Sequence, residues 1–273
     1  MRIDPKEAAR TILHLAFAAL GLSVALSGYS YAGPPHSPIE VGTRCQQDYQ
    51  NGWQVDVGSN DVWNRCGNFN NQIKKTENLE FYYNLHGAQS VIEKTSDGCG
   101  WGCGSADSVD LFYMNTHAGA NASSAFWAMW DQGSNAQTSN MRLGDNSREL
   151  MVLATFACNT LQTSDGNAAV IARWLKTFAG GLVMTVGAHA SLYAGNDQSA
   201  TEFASRMQDG EPIGKAWLES AWYADNSNTP SVMNVGANAN DCWNRAGVTI
   251  INLFATPILR DGAIGYICWS SWN

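Results

Sequence analysis

The sequence predicts an α/β protein with a largely parallel sheet. Three short apolar runs of strand length recur along it: "SVDLFYMNT", "LMVLATFAC" and "GLVMTVGAH". Each is close to continuously apolar, as strands covered on both faces are. Between and after them lie stretches with helical spacing, chiefly "DGNAAVIARWLKTFAGG". Strands alternating with amphipathic helices belong to sheets whose neighbours run parallel.

Taken in order, "GPPHSPIEVG" reads as a Pro-rich lead-in, and "GWQVDVG" as a first strand with Trp53, Val55 and Val57 on one face. "TENLEFYYNLHG" predicts a helix: Thr76 caps it, Leu79, Tyr82, Tyr83 and His86 share a face, and Gly87 stops it. "QSVIEKT" is a short strand and "DGCGWGCGSAD" a Gly-rich loop. "SVDLFYMNT" is a buried strand ending in "HAGAN", and "ASSAFWAMWDQG" a loop with a short helix. After the strand "LMVLATFAC" comes a helix in which Ala168, Ile171, Trp174, Leu175 and Phe178 form the apolar stripe and Gly180 the end. "GLVMTVGAH" is the third buried strand. "SATEFASRMQDGEPIGKAWLESAWYAD" is helical with a break near Gly210–Pro212, and the tail from Gly247 holds one or two more strands. The hexapeptide pattern Asn-Asp-x-Trp-Asn-Arg occurs at 60–65 and again at 240–245. The flanks do not match, so it reads as one local turn used twice rather than a repeat architecture.

Residues 1–32 carry the marks of an export signal: Arg2, Lys6 and Arg10, then the apolar "TILHLAFAALGLSVAL", then Ser30 and Ala32 at the small-residue cleavage positions. Residues 33–273 are expected to be a single α/β domain with an N-terminal extension and C-terminal strands, secreted or periplasmic, with no stable membrane insertion once the signal is removed. Its loss moves the formal charge from −8 to −9. That acidity speaks against nucleic acid as a partner. Eleven tryptophans suit either a cleft lining or dispersed packing.

Seven cysteines in an oxidising compartment leave at least one unpaired. Local pairing gives Cys45–Cys66, Cys99–Cys103 and Cys242–Cys268, with Cys66–Cys242 as a competing bond because both lie in the repeated hexapeptide regions. "CGWGC" has no second ligand pair at metal spacing, so no metal site is expected. Cys158, which closes an apolar run, is the odd thiol.

In parallel sheets, sites gather at the carboxyl ends of strands. His117, Cys158 and His189 each stand at such an end. A thiol needs a positioned base to attack a carbonyl, and a histidine supplies one. Backbone N–H groups of small residues suit the developing oxyanion. Cys158 also fits a packed structural thiol, and His189 a satisfied core histidine.

A strand ending in His with small residues, followed by one ending in Ala-Cys, resembles the caspase-like (clan CD) cysteine peptidases. "ADSVDLFYMNTHAG", "LGDNSRELMVLATFACNTL", "ARWLKTFAGGLVMTVGAH" and "GEPIGKAWLESAW" together resemble most a bacterial caspase-like family of unknown function. The likeness spans roughly Leu79 to Trp222. It implies a three-layer sandwich around a mainly parallel sheet, and a hydrolase of peptide or amide bonds with a peptide or protein substrate. His117 would be the general base or acid and Cys158 the nucleophile. The N–H groups of Cys158 and of Ala118 or Gly119 would form the oxyanion site. Asn115, Asp145 and His189 are candidates for facing the substrate. No metal or organic cofactor is implied. Thr116-His117-Ala118-Gly119 replaces the family's Gly-His-Gly, and alanine at 118 keeps the N–H but not glycine's freedom at positive φ. The resemblance leaves two alternatives: an inactive extracellular binding protein on the same frame, or a transpeptidase or cyclase using the same dyad.

Overall fold

The apolar runs become the centre of a sheet. The computed structural model describes residues 39–46, 61–75, 79–83, 106–129, 135–144, 150–193 and 198–272. Its strands are β1 (Ile39–Cys45), β2 (Leu79–Tyr83), β3 (Leu111–Asn115), β4 (Ala118–Ala120), β5 (Ala125–Ala128), β6 (Asn135–Gln137), β7 (Val152–Phe156), β8 (Met184–Ala188), β9 (Pro230–Gly236) and β10 (Tyr266–Ser271). Its α-helices are α1 (Asp61–Ile73), α2 (Asn167–Phe178), α3 (Gln198–Gln208), α4 (Ile213–Ala224) and α5 (Ala239–Arg245).

Seven strands form one sheet in the order β10-β9-β8-β7-β3-β1-β2. β2, β1, β3, β7 and β8 are mutually parallel, and β9 is antiparallel to both β8 and β10. Each face is covered. On one side Leu111, Tyr113, Ala154, Phe156 and Val186 pack against Phe69 of α1, Phe203 of α3 and Trp217 of α4. On the other, Phe112, Met114, Leu153 and Met233 pack against Trp174 and Phe178 of α2 and Trp127 of β5. Alternate residues of one strand thus feed two cores, which is why the runs are unbroken in sequence. This is the expected three-layer α/β sandwich with a mainly parallel sheet. Trp127, Trp174 and Trp217 are all fully buried, so these tryptophans are core rather than cleft.

Several local expectations are corrected. Leu79–Tyr83 is strand, not helix: it pairs in parallel with β1, Ile39 opposite Leu79, and its aromatic run suits a pleated strand despite the helical spacing. β1 itself begins inside what reads as a lead-in, and Val41 and Cys45 are buried there. Residues 125–128 are strand rather than loop and helix. β4, β5 and β6 make a small antiparallel sheet, and the Asn121 side-chain oxygen turns the first hairpin by accepting from the N–H groups of Ser123 and Ser124. In α2 the buried stripe is Val170, Arg173, Trp174, Thr177 and Phe178, rotated away from Leu175, which is 45% exposed. β9 has no counterpart in the sequence reading. The break at Gly210–Pro212 separates α3 from α4 as expected.

Both copies of the repeated hexapeptide start helices rather than turns, in α1 and α5. Each buries its arginine: Arg65 lies over the Phe156 ring at 4.2 Å, and Arg245 holds Asp241 at 3.1 Å and the Pro257 carbonyl at 2.6 Å. Each helix is also bonded to a strand, α1 through Cys45–Cys66 and α5 through Cys242–Cys268. The competing Cys66–Cys242 bond is therefore not made. Cys158 is a free thiol. The export segment, the strand at "GWQVDVG", the strand at "QSVIEKT", Cys99, Cys103 and Asp145 lie outside the described residues. Among the described residues, no helix is long and apolar enough to cross a membrane.

Candidate functional site

The β3–β7 ladder sets Asn115 opposite Phe156. Two residues further on, each strand end reaches a chemically active side chain, His117 on one and Cys158 on the other. The same carboxyl edge carries the end of β1, where Cys45 faces Asn115 in register. Arg44, one residue earlier, is fully buried and donates to the Gln46 side chain at 3.0 Å.

Cys158 opens a sharp turn. Asn159 has φ of 57°, a left-handed conformation that asparagine tolerates and β-branched residues do not. The turn is held against β8: the Asn159 N–H donates to the Ala190 carbonyl at 2.7 Å, and the Leu161 N–H to the Ala188 carbonyl at 2.8 Å. Thr160 Oγ1 accepts from the Ala188 N–H at 3.2 Å. Close approach is available only because Gly187 lacks a side chain, since a Cβ there would lie 2.1 Å from Thr160 Oγ1. The Leu192 N–H points at the sulfur, 3.4 Å from Sγ. Below the turn, Phe156 is gripped between the Arg65 guanidinium and the edge of Trp217. We expect Asn159→Val to lower stability by about 1–2 kcal/mol and Asn159→Gly to leave it nearly unchanged, as read from denaturant midpoints.

His117 is half-buried at the head of the β4–β5 hairpin, and burial pushes its pKa below the ordinary 6.5. Its carbonyl accepts from the Ala128 N–H at 2.8 Å, and the Asn121 N–H donates to Ser124 at 2.9 Å. These two bonds fix the ladder's phase, so Gly119 opposite Phe126 occupies the bonded position between them. Ala118 sits at a non-bonded position, its N–H turned away from β5. Of the two expected oxyanion donors, Gly119 is thus engaged within the small sheet, with the Phe126 ring packed directly over it, and Ala118 is not.

Asn115 is 3% exposed, and among the described residues its side-chain nitrogen has no hydrogen-bond partner. His189 ends β8, and its Nδ1 lies 2.9 Å from Ser231 Oγ. Sequence reasoning missed Leu192 and Arg173. The first acts through its backbone, which carries no side-chain signature, and the second reads in the sequence as the polar face of a helix.

A family profile described as a domain of unknown function, DUF6345, matches residues 48–250. The chain belongs to the DUF6345 family. The match spans α1 through α5 and so includes both His117 and Cys158 in this DUF6345 domain. No curated protein matches significantly. Among solved structures, the crystal structure of the Drosophila initiator caspase Dronc is similar at 12% identity, covering 71% of this chain and 78% of that one, with a TM-score of 0.40.

Proposed function

We propose that this DUF6345 protein is an exported cysteine hydrolase of peptide or amide bonds, working through a Cys158–His117 dyad on a caspase-like frame. The observation that carries the reading is the position of the free thiol. Four other described cysteines are consumed in disulfides, and Cys158 is left reduced on a strained turn, one strand from a histidine. The two disulfides and the signal-like N-terminus support export.

In this reading a neutral His117 takes the thiol proton as the sulfur attacks the substrate carbonyl. The oxyanion receives the Ala118 N–H and that of Cys158. The imidazolium then protonates the leaving amine, and water, deprotonated by the same ring, hydrolyses the thioester.

His117 gives the reading a pH signature. A histidine whose folded pKa is depressed binds fewer protons folded than unfolded. The stability it contributes is present above pH 6.5 and is lost as pH falls through the folded value. The base form also survives below pH 6.5, so the acid limb of kcat/KM is expected below that value.

The test is an iodoacetamide pulse on the non-reduced protein across pH, read by peptide mass spectrometry, followed by cleavage of a peptide library. One rapid modification at Cys158 in the folded protein, lost in His117→Gln, supports the dyad. A thiol that reacts only on unfolding removes it.

A further inference from the structure

We infer that Arg173 of α2 is a positioning residue that fixes the Cys158 turn against the His117 hairpin, an inference that rests on reading those two residues as a dyad. The β3–β7 register ends at Asn115 and Phe156, two residues short of each active side chain. Beyond it, His117 belongs to a hairpin of the small sheet and Cys158 to a loop running to α2, and something other than that ladder must hold them in place.

Arg173 does so from beneath. Its side chain is completely buried. Nη1 donates to the Asn121 carbonyl at the hairpin tip at 2.8 Å. Nη2 donates to the Gln162 carbonyl, four residues after Cys158. Both terminal nitrogens also engage the Asp165 carboxylate, Nη2 at 3.0 Å from Oδ1, so the loop is gripped at two points. The neighbouring Trp174 repeats the pattern: its indole N–H donates to the Thr160 carbonyl at 2.9 Å, and its ring meets Trp127 of the hairpin edge-on at 5.7 Å. Two consecutive residues of one helix thus each bind both segments. A guanidinium fork reaches three acceptor groups at fixed angles, which an ammonium cannot do. Asp165 responds in kind: the Arg173 hydrogen bonds hold its carboxyl below the usual carboxylate range.

The experiment uses the full oxidised chain and compares wild type with Arg173→Lys, Asp165→Asn and, as a distant control, Arg206→Lys, whose guanidinium pairs instead with Glu202, Glu211 and Glu219. The readout is the rate of Cys158 alkylation across pH, set against that of His117→Gln, with folding checked by circular dichroism and thermal midpoint. Arg173→Lys is expected to slow alkylation at pH 7 at least about tenfold, toward the rate of His117→Gln. Asp165→Asn is expected to slow it part of the way, and Arg206→Lys not at all. A wild-type rate kept by Arg173→Lys, whatever its loss of thermal stability, makes Arg173 merely structural and overturns the inference. Should Arg173→Lys fail to fold, an unslowed Asp165→Asn overturns it equally. A wild-type rate no faster than that of His117→Gln removes the dyad, and the inference with it, and is read before any other variant.

Discussion

Cys158→Ala is expected to abolish hydrolysis, a loss of at least about a thousandfold, with the protein still folded. The residue is partly exposed, and although alanine gives up the Leu192 N–H contact to the sulfur, the turn keeps its backbone bonds from Asn159 and Leu161. His117→Gln keeps a polar side chain at the hairpin head but cannot shuttle a proton, and should cost on the order of 10²–10⁴ in kcat. The double variant should be no slower than Cys158→Ala alone, because the two act as one unit. Turnover of a reporter peptide, measured with the thermal midpoint of each variant, checks all three. A folded Cys158→Ala that turns over normally would dismiss the nucleophile.

The second large effect concerns the bridges. Cys45–Cys66 and Cys242–Cys268 close loops with sequence separations of 21 and 26. Chain entropy puts each at about 3 kcal/mol. For a domain of this size that is a fall of about 6–12 °C in Tm per bridge. Replacing both partners of one bridge by alanine and measuring thermal unfolding tests this. The Cys45 pair should matter more to activity, since Cys45 lies opposite Asn115 at the edge where His117 stands, whereas Cys268 sits on the outermost strand.

The central strands were legible because burial on both faces leaves unbroken apolar runs, and their ends pointed at His117 and Cys158. The pairs Cys45–Cys66 and Cys242–Cys268 were legible from spacing. What escaped follows from the same physics. β1 carries Arg44 and Thr43 among its apolar residues, so it has no clean run. β2 has helical spacing by accident, and only its partner strand decides its form. β9 opens on a proline and breaks its apolar run with Ser231, which His189 faces, and with Asn234. The brace on α2 was hidden because an arginine reads as solvent-facing until its acceptors are known. Those acceptors, the carbonyls of Asn121 and Gln162, are backbone atoms.

The pairing pattern also bears on how the chain reaches its native oxidation state. Each bridge seen here joins two cysteines with no other cysteine between them, so an oxidant acting on thiols in chain order would make these bonds in order. As the proposed nucleophile, Cys158 is the hazard, because a good nucleophile toward carbonyls is also a good attacker of disulfides. The folded protein answers by access. Among the described residues, the four bridged cysteines are each 3% exposed or less. Attack must come in line with a sulfur–sulfur bond, and both of these bonds join buried residues. A reactive thiol can therefore persist beside its own disulfides, with reshuffling confined to chains that have not yet folded.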